Sequence, residues 1–258
     1  MVVSAQAPVL DTEVEALMRR LKMPYARSLA PELLATAKAQ RWEPVEVVRA
    51  LLVEESRGRS AAMLATRRKQ AGFPTGKTFE SWDEEVSSIP VPTQQALSTL
   101  EWVGRKENLA ICGPAGTGKS FFLEALGQKV IDGGGRVSWL KLEDLGGLIR
   151  AHRPDNQVTK TVQRLLRADL VIVDDIGLLP VSDDAAEGLY RLVDAAYEKR
   201  SVAISSNLHP SAFDQLMPKT VATATVDRLL HHAHLVQTSG ESIRLSQAVS
   251  GAGVVALS

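Results

Sequence analysis

Cysteine is almost absent from the sequence, with Cys112 the only one in 258 residues. An intramolecular disulfide framework is therefore excluded, and a reducing compartment is expected. Aromatic residues are also scarce, at 5%. No apolar run approaches the roughly 18 residues of a membrane-spanning helix, so no membrane partner is expected. The start, Met1-Val2-Val3-Ser4-Ala5, lacks the basic opening and apolar core of a secretory signal, and a cytoplasmic location follows as the expectation. Net charge is missing too, since 30 basic residues balance 30 acidic ones. What remains is ordinary for a folded soluble chain: 45% hydrophobic and 23% charged residues, in a length suited to one or two domains. A chain of this size buries enough surface to fold without crosslinks or a structural metal.

The zero balance hides an asymmetry. Residues 1–78 carry 13 Lys and Arg against 8 Asp and Glu, and the rest of the chain has the opposite excess. Arg57, Arg59, Arg67, Arg68 and Lys69 fall within 13 residues that contain no acid. A polyanionic partner and an ordinary solvated helix face would both produce such a run.

Residues 11–69 read as helices. Val14, Leu17, Met18 and Leu21 have the spacing of one apolar face, and Pro31 and Pro44 suit first-turn positions. Gly72-Phe73-Pro74-Thr75-Gly76 breaks this pattern. Beyond it, short apolar runs at Leu109–Cys112, Val137–Leu140, Leu170–Val173 and Val202–Ser205 alternate with helical stretches at 119–130, 144–152, 157–167 and 183–199. Such alternation predicts an α/β fold, a parallel sheet flanked by helices, with binding at the carboxyl ends of the strands. Ser182 is the expected N-cap of the last of these helices, and Gly133-Gly134-Gly135 an expected turn. The resulting division is a small all-α N-terminal domain over 1–70, expected to contact DNA or a partner, a linker over 71–91, a nucleotide-binding domain over 92–245 and a flexible tail over 246–258.

Gly113-Pro114-Ala115-Gly116-Thr117-Gly118-Lys119-Ser120 fits G-x-x-x-x-G-K-[ST] at every fixed position, between an apolar strand and an apolar helix opened by Phe121. Glycines let backbone N–H groups converge on phosphate oxygens, and the following helix points its positive end at the same anion. Lys119 is expected to reach the β- and γ-phosphates of ATP, and Ser120 to ligate Mg²⁺. Leu170-Val171-Ile172-Val173-Asp174-Asp175 is a strand ending in two acids. Asp174 is assigned to the Mg²⁺ shell and Asp175 to the attacking water. Asn207, at the end of the strand at 202–205, is suited to the γ-phosphate or the same water. The histidines at 231, 232 and 234 raise the question of a metal, with His231 and His234 on one helical face, but no acid or cysteine completes a ligand set. Cys112 reads as a small core residue.

With these pieces placed, the chain resembles AAA+ P-loop ATPases of the initiator and helicase-loader group, and more narrowly the IstB-type transposition helpers of bacterial insertion sequences. The likeness rests on Ala71-Gly72-Phe73-Pro74, Lys77-Thr78-Phe79-Glu80, the P-loop, and the run from Val171 to Pro180. Tyr197–Asn207, Asp227-Arg228-Leu229-Leu230-His231-His232 and Gly240–Arg244 also carry it. The resemblance implies that Arg228 is an arginine finger for a neighbouring subunit's ATP and that Arg244 is a second sensor arginine within its own subunit. It also implies ATP-dependent self-association, binding to double-stranded DNA and a partner transposase. Where many AAA+ proteins have Asp-Glu, this chain has Asp174-Asp175, one methylene shorter, which suits slow hydrolysis. A basic set at Arg150, His152, Arg153, Lys160, Arg164 and Arg167 is a DNA path or a solvated face. A replicative helicase loader, a nucleotide-gated scaffold with negligible hydrolysis and a small-molecule kinase are the competing functions.

Overall fold

Strand β1, Asn108–Cys112, is buried at every residue, between two neighbouring strands of the sheet. The structure, a computed structural model, describes residues 9–155, 157–178 and 180–243. By internal packing the chain divides into two compact units, residues 1–66 and 67–258.

The first unit is helical: α1 (Thr12–Arg20), α2 (Pro24–Gln40) and the greater part of α3 (Pro44–Ala71). Asp11 caps α1 by accepting from the N–H groups of Glu13 and Val14 at 3.0 and 3.1 Å. Pro44 opens α3 as expected, but Pro31 does not sit in a first turn, because α2 starts earlier at Pro24. Pro31 therefore costs α2 one internal hydrogen bond, while buried Ala26, Ala30 and Ala37 hold the helix to its neighbours. Glu55 accepts from the N–H groups of Tyr25 and Ala26, both at 3.0 Å, and pairs with Arg59 at 2.7 Å. Burial works against its charged form, but the hydrogen bonds from Ala26, Arg59 and Tyr25 outweigh it and hold the carboxyl below its ordinary range.

The second unit begins its regular structure with α4 (Val91–Ser98) and α5 (Glu101–Gly104), followed by β1. Then come α6 (Lys119–Asp132), β2 (Val137–Lys141), α7 (Leu142–His152), α8 (Val158–Leu165) and β3 (Leu170–Ile176). The described part closes with α9 (Asp183–Ala196), β4 (Ser201–Ser206), α10 (Lys219–Leu230) and β5 (Ala233–Gln237). The sheet is parallel, in the order β2-β3-β4-β1-β5. Ala110, Cys112, Val171, Val173, Val202 and Ile204 face α7–α10, whose Leu145, Ile149, Leu189, Leu192 and Leu229 are fully buried. Because both sheet faces are covered, the strands read as continuous apolar runs. Ser182 caps α9 through the Ala185 N–H at 3.3 Å, and the glycines at 133–135 turn α6 into β2.

The four expected strands are present, each longer by one to three residues; β5 is an addition. Only Val236 is buried in β5, so this edge strand carries no apolar run by which to recognise it.

Segment 71–91, expected as a linker, packs onto α6. Phe79 meets Phe122 edge-on at 5.6 Å, and Trp82 lies 5.0 Å from Phe121. Beneath them the buried Glu124 accepts from Thr75 N–H at 3.1 Å and Thr75 Oγ1 at 2.6 Å, and from the Gly76 N–H. Removing this acceptor strands several donors. Glu124→Ala should lower stability by about 1–3 kcal/mol in a urea melt. It should also expose residues 75–82 to limited proteolysis, with Glu124→Gln intermediate.

Candidate functional site

The loop between β1 and α6 can close only because its glycines adopt conformations that other residues rarely reach. Gly113, Gly116 and Gly118 have φ of 146°, 86° and 87°. A Cβ on Gly113 would collide with the Thr238 carbonyl, and one on Gly116 with Ser242. The chain after β5 is thus seated on the loop, where Ile243 N–H donates to the Gly116 carbonyl at 3.1 Å. Thr117 Oγ1 bonds the Pro114 carbonyl at 2.9 Å and Thr238 Oγ1 at 2.8 Å.

Lys119 is buried and donates to the Gly113 and Pro114 carbonyls, each at 2.7 Å, and to Asn207 Oδ1 at 3.0 Å. Asn207 is placed by its own N–H, which donates to the Ile176 carbonyl at 2.9 Å. Ser120 Oγ donates to Asp174 Oδ1 at 2.8 Å, and Ser205 Oγ contacts the same oxygen. Asp174 is 3% exposed. Burial pushes its carboxyl up, and the hydroxyls of Ser205 and Ser120 oppose that push. The structure therefore brings Lys119, Ser120, Asp174 and Asn207 together at the carboxyl ends of β1, β3 and β4.

Asp175 lies at an irregularity where the β3–β4 register shifts between Val173 and Ile176, with φ of 62°. Its N–H donates to Ser205 Oγ at 3.1 Å, and its carboxylate pairs with Lys141 Nζ at 3.1 Å. The hydrogen bond from Lys141 to Asp175 raises the lysine pKa. Phe121 packs under Trp82, with Lys77 Nζ 4.4 Å from its ring centre, and Trp82 also covers Gly118. Arg228, on α10, pairs with Asp194 at 2.8 Å, donates to the Ala224 carbonyl at 3.2 Å and lies 5.6 Å from the Tyr190 ring centre. Arg244 lies outside the described residues. Cys112 is a buried core residue whose thiol burial pushes up to about 11.

Lys141, Ser205, Trp82 and Thr238 were missed from sequence. Ser205 sat within the strand that led to Asn207, and Lys141 ends β2 in register with Asp174; both signals were present. Trp82 and Thr238 reach the loop from distant parts of the chain and left no local mark. Two basic sets are also partly spoken for. Arg67 bonds the Gly134 carbonyl and Arg68 bonds Asp132 and Gln128, whereas Arg150 and Arg153 pair with Asp184 at 2.9 and 2.7 Å. Lys160, Arg164 and Arg167 stay exposed.

A family model for IstB-like ATP binding proteins matches residues 16–251. The chain belongs to this family. It is 34% identical over 237 residues to an insertion sequence IS21 ATP-binding protein of Pseudomonas aeruginosa, covering 91% of this chain and 89% of that one. An IS21-like ATP-binding protein of Bacteroides fragilis is 27% identical over 229 residues, covering 88% and 87%. Among solved structures, AMPPCP-bound DnaA from Aquifex aeolicus superposes with a TM-score of 0.53 at 19% identity, over 72% of this chain and 58% of that chain. Domain III of Thermotoga maritima DnaA gives 0.53 at 16% identity, over 71% and 78%. At such identities the likeness shows the fold alone, which is the AAA+ P-loop fold. This IstB-family chain spans little more than half of the Aquifex protein.

A carboxyl whose folded pKa lies above its unfolded value weakens the fold as pH rises through that range, and the whole cost remains at neutral pH. Asp174→Asn keeps an acceptor for both hydroxyls and removes that cost. In the presence of a chelator, Asp174→Asn should melt above the native IstB-family protein at neutral pH. The two should converge below about pH 4, where the native carboxyl is protonated.

Proposed function

We propose that this protein is a Mg²⁺-dependent ATPase that assembles on double-stranded DNA and activates or targets a partner transposase. The observation that carries the reading is the convergence of Lys119 and Asn207 with Ser120 and Asp174 at one end of the sheet. Family membership supports ATP as the nucleotide, and the insertion-sequence relatives support transposition as the setting.

Ser120 and Asp174 offer hard oxygen donors of the kind Mg²⁺ takes, and they would hold it. When bound, the ion neutralises charge on the phosphates. Lys119 would exchange its carbonyl partners for phosphate oxygens, and the loop N–H groups would bind the same anion. Asp175 would orient the attacking water and accept its proton, with Lys141 fixing the carboxylate. Asn207 would hold the far side of the transferred group.

The role proposed for Arg228 requires it to leave Asp194. That pair is partly exposed on both sides, at 33% and 48%, and such pairs contribute about 0–1 kcal/mol. A finger supplied across a subunit boundary contributes far more, roughly 10³–10⁵ in rate. Release therefore costs little beside that effect. Arg228→Ala should bind ATP normally and hydrolyse it at least about 10³-fold more slowly. Lys119→Ala should lose ATP affinity while remaining folded. Mixing the two should restore turnover, since one protomer keeps the pocket and the other the finger; absence of rescue in mixed assemblies would refute a shared site. Asp175→Asn should retain ATP binding and lose turnover.

For DNA, the supporting surface is α8. Lys160 and Arg164 stand one turn apart on α8 and Arg167 follows just past its end, all exposed, while Thr161 and Val162 are buried. Phosphate contacts of this kind are indifferent to sequence and sensitive to salt. Replacing all three by Ala should weaken every duplex alike. It should flatten the slope of log affinity against log salt by about 0.9 for every phosphate no longer neutralised. An unchanged slope would remove α8 from the DNA path.

A further inference from the structure

We infer that Glu198, His231 and His232 form a binding site for a zinc-like divalent cation at the end of the sheet opposite the P-loop. One ligand atom from each of the three side chains lies within 4.8 Å of the others, and all three residues are exposed. Ligand atoms around a tetrahedral zinc stand about 3.4 Å apart, a closure that exposed side chains reach by small rotations. Two imidazoles and one carboxylate are the donor set zinc accepts, with water in the fourth position. Magnesium and calcium prefer oxygen alone, so the nitrogen donors select against them.

The backbone builds this cluster from two distant turns. Glu198 follows α9 on the way into β4, and His232 follows α10 on the way into β5. β4 and β5 flank β1 on either side, so the two turns enter the sheet two strands apart, within reach of long side chains. Glu198 and His232 have φ of 57° and 58°, a region uncommon for residues other than glycine, though histidine enters it more readily than glutamate. Both turns are fixed: Lys199 N–H donates to the Ala196 carbonyl at 2.8 Å, and the His232 carbonyl accepts from Asn108 N–H at 3.0 Å. The carboxyl ends of α9 and α10 both abut the cluster, and helix carboxyl ends favour a cation. Tyr197 Oη lies 2.9 Å from His231 Nδ1. With Nδ1–H donating to that oxygen, Nε2 keeps its lone pair for the ion, the outer-shell arrangement usual for metal-bound histidine. His234 takes no part, since it sits on β5 and pairs with Glu107 at 2.8 Å. The shared helical face of His231 and His234 expected from sequence does not form, because α10 ends at Leu230. An ion here would clasp the ends of α9 and α10.

The test is calorimetric titration of Zn²⁺ into the chelator-treated, nucleotide-free full chain. The expected result is one ion per chain with micromolar or tighter affinity, weakened at least tenfold by Glu198→Ala and by His232→Asn. Asparagine tolerates the left-handed conformation, so the latter variant keeps the turn. His234→Ala and His209→Ala should bind as the native chain does. Co²⁺ in place of Zn²⁺ should give the intense visible absorption of a four-coordinate ion, absent from His232→Asn. Absence of stoichiometric binding, or binding that survives both Glu198→Ala and His232→Asn, would overturn the assignment. ATP affinity measured alongside should be equal in all these variants, which separates this site from the P-loop.

Discussion

One buried carboxyl group ties together the elements on which the nucleotide site rests. Asp174 leaves the end of β3 and accepts hydroxyls from Ser120 in the first turn of α6 and from Ser205 on β4. Removing a carboxylate from water is costly, and two neutral hydroxyls only partly replace its hydration. Burial still pushes the carboxyl up against the hydrogen bonds that hold it, and a cation at this oxygen would offset that cost. The same Ser205 oxygen accepts from the Asp175 N–H. One hydroxyl thus links the buried acid to the turn that presents the second acid.

That turn explains the shorter side chain at position 175. The register shift places Asp175 at a positive φ, where aspartate is several-fold more acceptable than most residues. Glutamate is not among the residue types enriched in that region. The departure from an Asp-Glu pair therefore has a cause in the local backbone, quite apart from catalytic speed. Lys141 completes the fit, since the end of β2 stands in register with the end of β3.

What could be read from sequence was what is local. The P-loop, the four buried strands, the acid pair and the Ser182 cap are all written in runs of fewer than a dozen residues, and the parallel sheet follows from their alternation. Features that depend on distant segments were illegible. β5 shows no apolar run because only Val236 turns inward. Trp82 and Thr238 lie far before and far after the loop they cover, just outside the runs at 77–80 and 240–244 that carry the family likeness. Charge was the least readable signal. Arg67 and Arg68 look like a solvated basic run, yet their guanidinium groups are engaged by the α6–β2 turn and the end of α6. The surroundings of the clustered histidines were equally hidden. Glu198, the acid they lacked in sequence, arrives from a different helix end.

The P-loop is clasped from two sides by segments remote from it in sequence. Trp82 covers Gly118 and Phe121 from the segment ahead of β1, and that segment is anchored to α6 through Glu124. From the other side, Thr238 bonds both Thr117 and the Cys112 carbonyl, and Ile243 bonds the Gly116 carbonyl. Glycine made this close approach feasible, since a side chain at Gly113 or Gly116 would displace the covering segment. The consequence is mechanical. Phosphate binding that draws the loop N–H groups inward must move, or be resisted by, both covers, because packed contacts of this kind do not stretch. The exit from β5 and the segment that carries Trp82 are thus the parts of the AAA+ unit packed directly on the loop. Arg228 stands on the helix that feeds β5. A displacement beginning at Gly116 and passing along β5 therefore has a short covalent path to the residue proposed to serve the neighbouring subunit.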